Sequence, residues 1–346
     1  MGVVGILFGM MLMVCAFSCG TTIDETRNWN FERLVNYDNM LVLDETMPFE
    51  DAETLCEDLD GELVMSAGIE VATGTEDHKE HKKNTTLTVT EGKGLFGITD
   101  ADLDVTEIPA GTVAVTNRLA RQLGVKEGDT VYWHIYDKNE WHAATVGLIN
   151  RNPTATGLTI LRSDLEETGE RFTPSRLLTN ADVTLEDLNK EQNRVSAVNN
   201  KQAMIDSFDT SMEIVNVMVY IFVVMSVLFV VLVLFNAGSL SFMERKKEFA
   251  TLKVMGLSDR RIRGLMTQQN LWITVVGALL GTPFGQVLLQ YMLDSNGDNF
   301  DYKVIISWSD YLLSFLLILL VSYLVTLLFS RRIRKLDMVE TLKGLE

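Results

Sequence analysis

Few side chains in this sequence have the types and spacing that catalysis or metal binding needs. His78 and His81 stand three residues apart and could ligate a metal ion, but they lie in a lysine-rich stretch with no third ligand nearby. A solvated surface is therefore the favoured interpretation. His134 and His142 fall on the two arms of a predicted hairpin, where an ordinary sheet face accounts for them. We expect no catalytic, cofactor-binding or metal-binding residues.

The sequence also contains no phosphate-binding loop. No GxxxxGK[ST] pattern occurs, and the nearest glycine cluster, at residues 91–94, has neither the spacing nor the following hydroxyl. No histidine lies in an apolar run, and no Ser–His–Asp arrangement can be argued from spacing. We therefore expect a chain that is not an enzyme and does not hydrolyse ATP itself.

Four apolar runs are long enough to cross a membrane. A bilayer core of roughly 30 Å needs about 20 helical residues. The predicted fold is an α-helical membrane protein with four transmembrane helices and a large α+β extracytoplasmic domain inserted between the first and second. The predicted segments are transmembrane helix 1 at 1–20, the extracytoplasmic domain at 21–205, a stalk with transmembrane helix 2 at 206–236, cytoplasmic coupling helices at 237–268, transmembrane helix 3 at 269–293, an extracytoplasmic loop at 294–309, transmembrane helix 4 at 310–330 and a basic cytoplasmic tail at 331–346.

The distribution of Lys and Arg predicts the orientation of these spans. Seven lie between the second and third apolar runs and five follow the fourth, whereas the loop between the third and fourth holds only Lys303. Because cytoplasmic loops carry the excess of basic residues, both basic segments should face the cytoplasm. Residues 20–211 and the loop at 294–310 should then be extracytoplasmic.

The net charge of −17 is unevenly distributed. Residues 20–211 contain 36 acidic and 17 basic residues, which gives this segment a net charge of −19. Nucleic acids require a basic surface, so this composition excludes them as partners of the extracytoplasmic segment.

The first apolar run has a second interpretation, a signal peptide or lipoprotein signal that ends near Cys19. It lacks a basic n-region, and Phe17 is bulky for a processing site, so a transmembrane helix is favoured. Cys15 also lies in this run and Cys56 stands alone outside it, so no disulfide framework is predicted.

The extracytoplasmic segment contains both strand patterns and helix patterns, which predicts a mixed α+β domain. The pattern predicts a strand at 111–115, a helix at 117–123 capped by Asn117 and ended by Gly124, and a hairpin formed by 130–136 and 141–149. The polar stretch 75–94 is predicted to be an exposed loop.

The end of this segment indicates a connection to the second span. Thr184 and Asp187 form a possible capping box, and residues 194–199 read as a strand. A helix beginning near Lys201 is predicted to run without a break into the second span.

The third span carries a glycine pattern for helix packing. Gly277, Gly281 and Gly285 recur every four residues and line one helix face, which allows a neighbouring backbone to approach closely. Pro283 removes one backbone hydrogen bond and is expected to kink the helix.

The segment at 236–263 predicts two short helices at the inner membrane face. Ser239 or Ser241 could cap the first, Gly256 could end it in a left-handed conformation, and Ser258 could start the second. On spacing alone, the charged residues of this segment are explained by a solvated helix face with stabilising charge pairs.

This segment resembles the hallmark of the FtsX-like permease family, an ER-x-x-E-[IF]-x-x-L-[KR]-x-x-G pattern after the second span. Residues 244–256 read ERKKEFATLKVMG. The ending at 331–343, RRIRKLDMVETLK, is similar to the family's closing segment, and residues 111–147 resemble a module of its outer domains. Together with the four-span layout, the chain is similar to FtsX-like and MacB-like permeases of ABC transporters over nearly its whole length.

The resemblance implies a multi-pass permease of the bacterial inner membrane. Its implied partners are cytoplasmic ABC ATPase subunits, which bind the ATP, a second permease half or a homodimer partner, membrane lipid, and an extracytoplasmic protein. By position in the motif, the residues implied to contact the ATPase are Glu244, Arg245, Glu248, Leu252, Lys253, Gly256 and Arg260.

Two functions from different classes fit this resemblance. One is an ABC transporter permease that exports or extracts a lipid, lipoprotein, peptide or antibiotic. The other is a mechanotransmitter that transports nothing and regulates a cell-wall hydrolase or a sensor. The family usually begins with a basic helix before the first span, whereas Arg27 is the first basic residue here. The chain therefore also resembles the C-terminal repeat of a longer two-repeat permease.

Overall fold

The computed structural model describes residues 2–75, 78–136, 138–190, 194–295 and 301–334. The chain folds into two compact units. The first, called here the helical unit, comprises Met1–Ile23, Met212–Leu293 and Val304–Glu346. The second, called here the outer domain, comprises Asp24–Ser211 and Asp294–Lys303.

The elements alternate between long apolar helices and a mixed sheet. The helices are α1 (Gly2–Trp29), α2 (Phe49–Asp58), α3 (Asn117–Leu123), α4 (Arg162–Glu167), α5 (Leu185–Lys190), α6 (Lys201–Val254), α7 (Asp259–Asp294) and α8 (Trp308–Arg334), with a π-helical turn at Asn30–Leu34. The strands are β1 (Asn39–Leu43), β2 (Glu62–Gly74), β3 (Lys79–Thr90), β4 (Val113–Thr116), β5 (Thr130–Ile135), β6 (His142–Asn150), β7 (Gly157–Leu161), β8 (Arg176–Thr179) and β9 (Val195–Asn200).

Six strands of the outer domain close into a barrel. The ladder runs β3–β7–β4–β6–β5–β2, and β2 pairs again with β3. The pairs β3–β7 and β4–β6 are parallel, and the others are antiparallel. The interior is filled by apolar side chains, among them the fully buried Trp133, Ile69 and Leu87. Gly157 is required at the β3–β7 contact, because a Cβ there would lie 1.9 Å from the Thr86 carbonyl oxygen.

Three further strands extend the sheet beyond the barrel. β8 pairs with β2, β1 pairs with β8, and β9 pairs with β1, all antiparallel. Because α6 begins at Lys201, directly after β9 ends at Asn200, the last strand leads into the longest helix. The mixed sheet with short helices is the α+β domain that the sequence predicts.

The prediction of an exposed loop at 75–94 is wrong. Residues 79–90 form β3, which pairs with β2 along nearly its whole length. The N-terminal half of β3 is mostly solvent-exposed and carries five charged or histidine side chains at 79–83. This half therefore lacks the alternation of apolar and polar residues that identifies a strand. Hydrogen bonding to the apolar strand β2 makes this segment a strand, although its local sequence favours a loop.

Several smaller predictions agree with the structure. β5 and β6 form the predicted antiparallel hairpin. Gly124 ends α3 with φ +71°, whereas the N-cap of α3 is Thr116 and not Asn117. The Thr184 hydroxyl accepts a hydrogen bond from the Asp187 amide at 3.3 Å, which is one of the two bonds of a capping box, and donates one to the Asp187 carboxylate at 2.6 Å.

Among the residues that the structure describes, four helices are long and apolar enough to cross a membrane. They are Gly2–Leu34, Lys201–Asn236, Thr267–Asp294 and Trp308–Leu328. In the most apolar 18-residue stretch of each helix, the buried share is 56% in Gly2–Leu34 but only 17% in Lys201–Asn236. α1 is therefore the most enclosed helix of the four, and α6 is the most exposed.

Within the predicted coupling helices at 237–268, the prediction that Ser239 or Ser241 starts a short helix is wrong. α6 continues without interruption to Val254, so Ser239 and Ser241 lie inside it and not at the start of a new helix. An N-cap residue must leave helical geometry, and neither serine does. Gly238 costs about 1 kcal/mol inside a helix, and the surrounding residues favour the helix by more than this. The second helix is also not short, because α7 runs from Asp259 through Pro283 to Asp294.

Candidate coupling site

The turn between α6 and α7 is a tight helix end. Gly256 adopts φ +90°, the Leu257 amide donates to the Leu252 carbonyl at 3.1 Å, and the Met255 amide donates to Thr251 at 2.9 Å. A hydrogen bond that spans five residues around a left-handed glycine is the signature of a Schellman motif. The Arg261 amide then donates to the Ser258 carbonyl at 2.9 Å as α7 begins.

This turn contains the residues that the family resemblance assigns to ATPase contact. Glu248 is exposed on the last turns of α6, Leu252 is half-buried, and Gly256 is exposed at the turn. The side chains of the other four predicted contact residues, Glu244, Arg245, Lys253 and Arg260, lie outside the described part of the structure, as does the tail from residue 335.

The three glycines of α7 lie against α1. A Cβ on Gly277 would stand 2.9 Å from the Ile6 Cβ, and one on Gly281 would stand 2.5 Å from the Leu7 carbonyl oxygen. A Cβ on Gly285 would stand 2.7 Å from the Val14 Cβ. These distances allow no side chain, so glycine is what permits the two backbones to approach.

Pro283 does not belong to this contact. It is exposed, whereas the three glycines face α1, so it lies on a different face of α7. Helix α7 is continuous through it.

A second glycine contact in α1 was not predicted. Gly5 and Gly9 face α6, where added Cβ atoms would lie 1.9 Å from Val233 and 2.0 Å from Val230. The Ser226 hydroxyl donates to the Gly9 carbonyl at 2.9 Å. The GxxxG spacing of Gly5 and Gly9 is the local signal that indicates this contact.

Polar side chains join α7 to α8. Asn270 donates to the Thr326 hydroxyl at 3.1 Å, and Thr274 and Ser322 share a buried hydrogen bond of 2.6 Å. In an apolar surrounding, such bonds satisfy groups that lipid could not. Helices α1, α6, α7 and α8 are thus linked by specific contacts and not by apolar packing alone.

Within the outer domain, the end of α1 is clamped to the start of α6. Arg27 donates two hydrogen bonds to the Asp209 carboxylate, at 2.7 and 3.2 Å. Phe31 and Phe208 pack edge to face with ring centroids 5.9 Å apart. The Lys201 ammonium donates to the Val35 carbonyl at 2.8 Å.

The connection between α7 and α8 is divided between the two units. Residues Val304 onward belong to the helical unit, where Thr22 binds both the amide and the carbonyl of Ile305 at 3.2 and 3.0 Å. Asp294–Lys303 belongs to the outer domain.

Within the outer domain, arginines contact Asp294 and Asp301. The Asp301 side chain is 1% exposed and lies 3.3 Å from Arg151 and 3.6 Å from Arg121. Arg118 donates to the Asp294 carbonyl at 2.8 Å. Burial raises the pKa of Asp301, and the neighbouring guanidinium groups oppose that shift. No local pattern indicates this cluster, because each arginine is 150 residues or more from the aspartate that it contacts.

The two histidines of the predicted hairpin lie in ordinary surroundings. His134 contacts Glu70 at 3.2 Å and stacks on Trp141. His142 contacts Glu170 at 3.3 Å. Each ring contacts one carboxylate, Glu70 on β2 and Glu170 in the segment between α4 and β8, as expected of structural histidines.

The other two histidines are solvent-exposed. His78 lies 3.5 Å from Glu80, and His81 is exposed on the N-terminal half of β3. Among the described residues, no group of three or more His, Cys, Asp or Glu side chains is placed to hold a metal ion.

Residues 220–338 match the family described as FtsX-like permease C-terminal. Over these residues the chain resembles the C-terminal part of FtsX-like permeases. The match covers about a third of the chain and includes the apolar part of α6, the Gly256 turn, α7 and α8. Together with the four apolar helices, it indicates a membrane protein of the ABC permease type. FtsX-like permeases typically work with a cytoplasmic ABC ATPase. A comparison with curated proteins finds no match.

Proposed function

We propose that this chain is an FtsX-like, MacB-like permease subunit of the bacterial inner membrane that converts ATP hydrolysis by a separate ATPase into motion of its outer domain. The observation that supports this most directly is the continuity of α6. Its 54 residues begin at the end of β9 and finish at the Gly256 turn. At 1.5 Å per residue, such a helix is about 81 Å long.

A continuous helix suits this task because bending it breaks backbone hydrogen bonds. Displacement of its cytoplasmic end by the ATPase would be carried along α6 to β9 and to the Arg27–Asp209 clamp. Asp301, which Arg151 and Arg121 contact, offers a second connection, because it lies in the part of the chain between α7 and α8. We propose that ATP is bound only by the partner and that the chain itself carries out no catalysis.

The α6 surface also bears on assembly. Large apolar side chains along it are highly exposed, including Tyr220 at 72%, Ile214 at 71% and Leu232 at 67%. We propose that this face meets lipid and a second permease half, either another chain or a second copy of this one. The proposed transport reaction is export or extraction of a lipid, lipoprotein, peptide or antibiotic, with residues 20–211 outside the cytoplasm.

Charge reversal at the two ends of α6 tests the proposal. Glu248 and Glu213 are both exposed glutamates of this helix, one near each predicted membrane face. Glu248→Lys and Glu213→Lys are matched in chemistry and differ in position. Each is co-expressed with an ABC ATPase encoded beside the permease, and the amount of ATPase that co-elutes is measured.

The expected result is loss of ATPase from Glu248→Lys, full retention by Glu213→Lys, and unchanged thermal stability of both. Equal retention by both variants would contradict the assigned contact. If the ATPase co-elutes but its activity responds to an extracytoplasmic protein and to no small or lipidic molecule, the mechanotransmitter is the function.

A further inference from the structure

The outer domain contains a cleft where its sheet divides. Strand β2 pairs with β8 through Glu62–Val64 and then, further along the same strand, with β5 through Ile69–Ala72. Residues 65–67 lie between these two ladders and line the cleft, together with the chain at 171–175. Its volume is about 720 Å³, within the range of roughly 300–1,000 Å³ that is typical of small-molecule sites.

The cleft wall is apolar and aromatic. Phe49 and Phe172 meet edge to face with centroids 6.4 Å apart, and Met47 and Met65 line the same cleft. Thioether side chains adapt to the shape of a guest, and aromatic edges and faces offer favourable contacts to rings. Such a wall accommodates an apolar group of several carbon atoms.

The cations of the cleft are outnumbered by carboxylates. Arg162 stacks on both phenylalanine rings, at 5.2 and 4.9 Å, and is bonded to Glu166 at 2.8 Å and Glu91 at 2.9 Å. Its charge is thereby compensated by two acids. The lining holds four acidic residues, Asp44, Glu45, Glu166 and Glu170, against the two arginines 162 and 171, and Lys138 pairs with Glu170.

Charge complementarity therefore favours a cation over an anion in this cleft. The surrounding domain reinforces the preference, because residues 20–211 carry a net charge of −19. We propose that the cleft binds a small amphiphilic amine, a protonated primary amine that carries an aromatic or aliphatic group. The apolar group lies against Phe49, Phe172, Met47 and Met65, and the ammonium lies toward the acidic rim at Asp44 and Glu45. This site lies within the outer domain alone and does not depend on the proposed function.

Three probes of similar size separate charge from apolar contact. The full chain in lipid nanodiscs, with ¹³C-labelled methionine methyl groups, is titrated with phenethylammonium, phenethyl alcohol and phenylpropionate. Met47 and Met65 signals, assigned by substitution of each with Ile, report the cleft. Met218 and Met225, exposed on α6, report partition of the probe into lipid.

We expect saturable shifts of the Met47 and Met65 signals, with the amine binding more tightly than the alcohol and the alcohol more tightly than the carboxylate. Glu45→Lys should weaken amine binding roughly two- to fivefold, the effect expected for one exposed ion pair. Glu107→Lys, an exposed glutamate outside the lining, should leave it unchanged.

Three results would overturn the proposal. Equal affinity for all probes would leave only an apolar crevice. Preference for the carboxylate would assign the cleft to anions through Arg171. Shifts confined to Met218 and Met225, without saturation at the cleft methionines, would show that nothing binds there.

Discussion

The contact between α7 and α1 predicts the effect of adding one methyl group at Gly281. The Cβ introduced by Gly281→Ala would lie 2.5 Å from the Leu7 carbonyl oxygen and 2.8 Å from the Met10 Cβ. Neither atom is the end of a flexible side chain, so α1 and α7 must separate to relieve the overlap. Gly264 lies in the same helix, and a Cβ there meets nothing within 4 Å.

The two alanine variants isolate the cost of this overlap. Replacing glycine by alanine inside a helix stabilises by about 1 kcal/mol at either position, and this gain cancels in the comparison. Overpacking typically costs about 1–3 kcal/mol. Gly281→Ala should therefore be less stable than Gly264→Ala by about 1–3 kcal/mol, and Gly281→Leu should lose more.

Unfolding by sodium dodecyl sulfate in mixed micelles, followed by tryptophan fluorescence, measures the difference. Wild type, Gly264→Ala and Gly281→Ala are compared under one lipid composition. We expect a lower midpoint for Gly281→Ala and an equal or higher one for Gly264→Ala. Equal midpoints for the two variants would refute the close approach of α1 and α7.

Three further perturbations have defined outcomes. Exchanging the clamp residues, Arg27→Asp with Asp209→Arg, should restore thermal stability that either single change lowers; a double variant as unstable as the singles would argue against the ion pair. Gly256→Ala should shorten or fray the end of α6, because alanine is disfavoured at φ +90°, and faster amide exchange at residues 252–257 would register it. Burial opposes ionisation of Glu170, but hydrogen bonds from Lys138 and His142 outweigh it and lower the pKa of that carboxyl below its ordinary value of 4.5. The stability that this carboxylate contributes is present above the ordinary value and is lost as the pH falls through the lowered pKa. Glu170→Gln should therefore lose less stability than wild type between pH 7 and pH 3, and identical acid unfolding curves would contradict this.

The helical part of the fold was predictable because its signals are local. Long apolar runs identify spans, and glycines every four residues identify a packing face. The end of α6 was likewise predicted from Gly256 alone, since a left-handed helix end needs glycine. Orientation of the spans stays a prediction from the distribution of Lys and Arg.

The errors and omissions have physical causes in long-range contacts. β3 is polar along its N-terminal half and becomes a strand through pairing with β2. Asp301 pairs with Arg151 across 150 residues, a relationship that no single window of sequence contains. The cleft between the β2–β8 and β2–β5 ladders could not be predicted either. Its position depends on the residue at which β2 stops pairing with β8 and the residue at which it starts pairing with β5, and both partners are distant in sequence.

Helix α6 is proposed to carry motion between the ATPase and the outer domain, and an interruption of this helix tests that role most directly. Four glycines are inserted between Thr210 and Ser211, where the side chains of both residues are exposed. Hydrogen–deuterium exchange of β1 and β9 is then compared with and without ATP, in complex with the ATPase. We expect wild type to respond to ATP, whereas the insertion variant still binds the ATPase but shows no ATP-dependent change in β1 and β9. An equal response in both proteins, or none in the wild type, would contradict the proposed role of α6.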